Sequence, residues 1–150
     1  MIDFLDILEK EVWKKRFFAF LSFMLFIALL LSVIYRGERK SWKDKVKEYV
    51  VCRFNFTPND VERAYFSCPY RANFFGYEIL AKKEIEALKR AKVFSWFYPE
   101  KISKEKREIV VVGKRITGEW KGSEIKNVQV YRVKIKLGVK RGYYVKSVER

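Results

Sequence analysis

The sequence contains no histidine. That removes the side chain most often used as a general base near neutral pH, and the commonest metal ligand. It holds two cysteines, Cys52 and Cys68, too few to build a zinc site alone. There is no Gly-rich phosphate loop, no Cys/His cluster and no nucleophile–base motif. The carboxylates, Asp60 among them, fall where helix caps and solvated faces account for them. No catalytic, cofactor-binding or metal-binding residues are expected, no cofactor is implied, and the chain is not read as an enzyme.

Charge is also missing from one stretch. Residues 17–35, FFAFLSFMLFIALLLSVIY, carry neither charge nor proline, and thirteen of these nineteen are Phe, Leu, Ile or Val. As a helix they span about 28 Å, against a bilayer hydrocarbon core of about 30 Å. The thirteen favour insertion by about 4 to 8 kcal/mol. One transmembrane helix is expected. A cleaved signal peptide fits less well, because its apolar region runs to about 7–15 residues and ends in small residues. This run ends Ser32-Val33-Ile34-Tyr35-Arg36. Ala28 and Ser32 form a small-xxx-small pair, a weak signal for helix contact. The expected organisation is a tail (1–16), a transmembrane helix (17–35) and a soluble domain (36–150).

The net charge is +15. The tail balances four acids against four bases, so the whole excess follows the span, as 29 bases against 14 acids. Such an excess suits anionic partners or simply a Lys-rich solvated surface. It does not orient the span. Lys14-Lys15-Arg16 precede it, while Arg36, Arg39, Lys40, Lys43, Lys45 and Lys47 follow it closely, and long domains cross membranes largely regardless of charge. In the tail, Ile2, Leu5, Leu8 and Val12 sit near helical spacing, with acids early and bases late. A short interfacial helix is expected there. Trp13, Tyr35 and Trp42 are the expected membrane-interface residues.

Beyond the span the reading is α+β. Ser41 and Asp44 form a capping box, followed by Trp42, Val46, Tyr49, Val50 and Phe54 on one helical face. Thr57-Pro58-Asn59-Asp60 reads as a second helix start, with Pro58 in the first turn. Val61, Ala64, Tyr65 and Cys68 form its inner face. A third helix is expected from Pro69 to Val93. After Ser95 the period becomes alternating, with an extended segment over 97–103, a charged turn at 104–107 and strands over 108–120, 125–137 and 143–149. Gly113 marks a bulge or bend. Short turns imply an antiparallel meander with helices on one face. Arg132, Lys134 and Lys136 line one strand face. An RNA-binding sheet needs aromatics among such cations, and Tyr131 points the other way, so a solvated face is expected. Cys52 and Cys68 are either a disulfide worth about 3 kcal/mol, if the domain is exported, or two buried thiols.

Taken in order, a short tail, one span, FTPNDV (56–61), a long helix, SWFYPEKI (95–102), VVVGKRITGEW (110–120) and YRVKIKLGVKRGYYV (131–145) resemble the TraE family of conjugative transfer proteins of F-type type IV secretion systems. The resemblance covers nearly the whole chain. It implies an NTF2-like domain of about three helices on a curved antiparallel sheet of about four strands. It implies a cytoplasmic tail, a periplasmic domain and a place in the bacterial inner membrane. It implies a non-enzymatic scaffold that self-associates and contacts other inner-membrane and periplasmic components of the secretion system. Direct nucleic-acid binding is disfavoured by the facing of Tyr131 away from the strand cations. The cysteine pair and the very basic domain depart from the family pattern. The competing reading is a membrane-tethered basic module that binds nucleic acid or anionic lipid on the cytoplasmic side.

Overall fold

The structure, a computed structural model, describes residues 4–38 and 40–150. Ile2, Asp3 and Arg39 lie outside the described residues. The chain divides into two compact units, Met1–Lys40 and Ser41–Arg150.

The first unit is one helix, α1, Phe4–Glu38, of 35 residues. At 1.5 Å per residue it is about 52 Å long, more than a hydrocarbon core. Tail and span are thus one helix rather than an interfacial helix leading into a span, because nothing between Lys10 and Phe20 interrupts helical geometry. The boundary near Arg16 is a change of side-chain chemistry alone. The apolar side chains of the run are exposed on all sides, including Phe17, Phe20, Phe23, Leu25 and Leu29. A helix apolar all round is long and apolar enough to cross a membrane.

The second unit is α+β. Its elements are α2 (Trp42–Phe54), α3 (Val61–Phe66), α4 (Tyr77–Arg90), β1 (Val93–Glu105), β2 (Glu108–Lys121), β3 (Glu124–Val139) and β4 (Tyr143–Glu149). The strands form one open antiparallel sheet in sequence order. The capping box read at Ser41 and Asp44 is present, with both reciprocal bonds made. Val46, Tyr49, Val50 and Phe54 of α2 then pack on Phe97, Ile109, Val111, Val133, Ile135 and Leu137 of the sheet. A second cluster joins α3 to α4 through Val61, Ala64, Tyr65, Ala81 and Ile85, with Phe56 beside them.

Four boundaries differ from the sequence reading. The second helix starts at Val61, not Pro58. The Thr57 hydroxyl and N–H both donate to the Asp60 carboxylate, at 3.0 and 2.6 Å, so 57–60 closes as a separate turn. The third helix starts at Tyr77 rather than Pro69. Residues 70–72 are instead held to β4, where Tyr143 N–H donates to the Tyr70 carbonyl at 2.7 Å and Ala72 N–H to the Tyr143 carbonyl at 2.9 Å. That helix ends at Arg90, and the strand begins at Val93, earlier than the change of period read at Ser95. Lys92 turns with φ 51°, and its carbonyl accepts from Trp120 N–H at 2.8 Å, which commits the chain to the sheet there.

Gly113 does lie at a bulge of the β1–β2 ladder, and it is also a close approach. Pro99 pairs with Gly113 and Lys101 with Val112, so the extra residue is Glu100 on β1. A Cβ on Gly113 would lie 2.2 Å from the Tyr98 carbonyl oxygen.

Candidate functional site

Two features of the helix–sheet unit bring aromatic and charged side chains together. One is a cavity of about 400 Å³ between α2, α4 and the sheet, ringed by Tyr49, Phe54, Tyr65, Phe74 and Tyr77. Two guanidinium groups enter it. Arg53 of α2 is buried against Tyr65, 3.4 Å from its ring centroid, and lies 3.6 Å from the Glu84 carboxylate. The Tyr65 hydroxyl donates to the same carboxylate at 2.6 Å. Arg115 of β2 donates from Nε to the Ser95 hydroxyl at 2.9 Å and lies over Phe54 at 5.1 Å. Burial lowers the Arg115 pKa from its ordinary value. Burial likewise pushes Tyr49 and Tyr65 up to about 12. These are the marks of packed polar groups. Each of these groups braces another: the Glu84 carboxylate holds both Tyr65 and Arg53, and the Ser95 hydroxyl holds Arg115.

The other feature is the sheet face turned away from α2. Phe97 points into the core, which turns its neighbours Trp96 and Tyr98 outward. Trp96 pairs with Ile116, and Ile116 with Val130, so the three lie in one row across β1, β2 and β3. Trp96 is 48 %, Tyr98 53 % and Val130 64 % exposed. The row thus presents an exposed aromatic, a half-buried Ile116 and an exposed Val130 across three strands.

The same register corrects the reading of the cationic strand. Tyr98 pairs with Lys114 and Lys114 with Arg132, so an aromatic does share a face with these cations, supplied by a different strand. Cross-strand register is not visible within one strand's alternation. Lys114, Arg132 and Lys136 are engaged, however. Glu100 takes Arg132 at 2.5 Å and Lys114 at 3.8 Å, and Glu149 takes Lys136 at 2.6 Å.

The residues singled out from sequence are distributed as follows. Cys52, at the end of α2, and Cys68, just past α3, are joined as a disulfide with Cα atoms 5.7 Å apart. Trp13 and Tyr35 are exposed on α1. They are 22 residues apart, about 33 Å along the helix, which matches the thickness of a hydrocarbon core. Trp42 is exposed in the first turn of α2, in the other unit. Among the described residues no group of His, Cys, Asp and Glu could hold a metal ion.

Compared with protein-family models, with characterised proteins and with solved structures, the chain matches none.

Proposed function

We propose that this chain is a non-enzymatic, single-pass scaffold of the bacterial inner membrane, an assembly component of a conjugative type IV secretion system. In this reading the tail is cytoplasmic and the NTF2-like helix–sheet unit is periplasmic, where it self-associates and contacts other channel components. The observation that carries it is the outward row of Trp96, Ile116 and Val130 on a domain covalently tied to one membrane-length helix. Anchoring restricts the domain to a plane, which raises its effective concentration for partners anchored in the same plane. The disulfide between Cys52 and Cys68 supports an oxidising compartment for that domain.

Plasmid transfer from the native host tests the reading. Deleting the gene should abolish transfer, and a Trp96→Ala, Val130→Asp variant that accumulates in the membrane at normal level should fail to restore it. Normal transfer from the deletion strain would sink the proposal.

A second reading, nucleic-acid binding by the outer sheet face, is favoured by Tyr98 lying beside Lys114 and Arg132. Glu100 weighs against it by pairing with both cations and offsetting one of their two charges. Steeply salt-dependent DNA binding by the full chain would support that reading, and flat binding at moderate salt is the expected result.

A further inference from the structure

One end of the helix–sheet unit concentrates cations that have no carboxylate partner. The β1–β2 turn and the β3–β4 turn lie at the same end of the sheet, because Ile109 pairs with Leu137 and Val139 with Tyr143. They carry Lys104, Lys106, Arg107, Lys140 and Arg141, all exposed. None of these five forms an ion pair among the described residues. The acids nearby are Glu105, which is exposed, Glu108, which Lys146 takes at 2.8 Å, and Asp44, which accepts from the Ser41 hydroxyl at 2.7 Å. The opposite end differs. There Lys121 is paired with Glu119 at 3.2 Å and Lys126 with Glu124 at 3.4 Å.

The start of α2 belongs to the cationic end. Lys45 in its first turns lies over the Tyr70 ring at 5.8 Å, and the Tyr70 carbonyl accepts from Tyr143, just past the β3–β4 turn. Trp42, Tyr70 and Val139 are exposed there. Amphipathic aromatics beside unpaired cations are the side-chain mixture that suits a membrane–water interface.

The covalent chain fixes what this end can reach. Only residues 39–41 separate α1 from α2. Fully extended, they let Trp42 stand no more than about 14 Å from Glu38. Whatever the angle between the two units, the start of α2 is held within one or two screening lengths of the surface where the span emerges.

We infer that the turns at 104–107 and 139–142, with Trp42 and Tyr70, bind the headgroups of anionic phospholipids in the membrane that α1 crosses. Contact there steadies the domain against its own bilayer and leaves the outer sheet face open for protein partners. The inference requires the span. It requires neither the side of the membrane nor the secretion-system assignment.

Amide hydrogen exchange tests it, on the full chain in nanodiscs of phosphatidylcholine alone or with one-third phosphatidylglycerol. Amides of 104–108 and 139–143 should exchange several-fold more slowly in the anionic discs, and the effect should vanish in high salt. The turn at 121–124 should not change. Combining Lys106→Asn, Arg107→Gln, Lys140→Gln and Arg141→Asn should remove the lipid effect while amides of the central strands keep their protection. Asn is chosen where φ is positive, at Lys106 and Arg141. Equal exchange in both discs would overturn the inference. So would equal protection from a DNA duplex added to neutral discs, which would assign the cations to nucleic acid. Recovery of the chain outside the discs would overturn the span and this inference with it.

Discussion

The guanidinium carbon of Arg53 stands 3.4 Å from the centroid of the Tyr65 ring. That contact ties α2 to α3, and Glu84 ties both to α4. A cation over an aromatic face contributes up to about 2 kcal/mol when desolvated, and the Arg stem adds packing. Arg53→Ala should therefore destabilise the full chain by about 2 to 3 kcal/mol in denaturant unfolding. Glu84→Gln should cost less than about 1 kcal/mol, since the Glu84 side chain is 63 % exposed and water screens its pair. A larger cost for Glu84→Gln would show that the ion pair, not the stacking, holds the helices.

The disulfide joins positions sixteen apart in sequence. Closing a loop of that size restricts the unfolded chain by about 3 kcal/mol. Reduction, or Cys52→Ala with Cys68→Ala, should lower stability by about that amount. Unfolding curves with and without reductant measure it, and the double variant should show no further response to reductant.

Gly142 has φ 139°, and a Cβ there would meet the Ala72 backbone nitrogen at 2.7 Å. The contacting atoms are backbone and cannot turn aside. Gly142→Ala should cost about 2 kcal/mol or more and loosen residues 70–72 from β4. Gly122 also has positive φ, but open space around it. Gly122→Ala should cost about 1 kcal/mol. Thermal unfolding of the two variants side by side separates crowding from backbone preference.

Stability should fall at both ends of the pH range. Lys89, Lys146 and Lys136 hold the carboxyls of Glu62, Glu108 and Glu149 below the ordinary 4.5. Asp60 lies below the ordinary 3.8: burial pushes it up, and the hydrogen bonds from Thr57 and Arg63 together outweigh that. Depressed carboxylates stabilise the fold above these ordinary values, and their contribution is lost as pH falls through the folded values. At the alkaline end, burial of Tyr49 and Tyr65 raises both to about 12 from 10. Their contribution is complete below pH 10 and lost between about 10 and 12. Tyr49→Phe should flatten the alkaline limb of a stability-versus-pH curve and leave the acid limb unchanged.

Much of this fold is written locally. The Ser41–Asp44 box, the α2 face from Val46 to Phe54, and the alternation of Tyr131, Val133, Ile135 and Leu137 are set by neighbours in sequence, and the structure has them. The membrane-length helix follows from residues 17–35 alone. What was not legible depends on distant partners. The spacing of Phe74, Tyr77 and Ala81 extends the helix reading back to Pro69, yet Tyr143 captures Tyr70 and Ala72. Val93 enters the sheet because Trp120 bonds to Lys92 across a strand pair. The outward row of Trp96, Ile116 and Val130, and the approach of Arg53 and Arg115 to one cavity, exist only through register and helix packing. No single segment's pattern carries that information.

In the proposed function α1 crosses the inner membrane and the helix–sheet unit lies on its periplasmic side. A membrane-impermeant maleimide applied to intact cells tests this directly. Cys52 and Cys68 are joined, so a single introduced cysteine is the reporter. Ser123→Cys, in the exposed β2–β3 turn, should be labelled before lysis, and Lys10→Cys only after lysis. Labelling of Lys10→Cys in intact cells, with Ser123→Cys protected until lysis, would contradict the account.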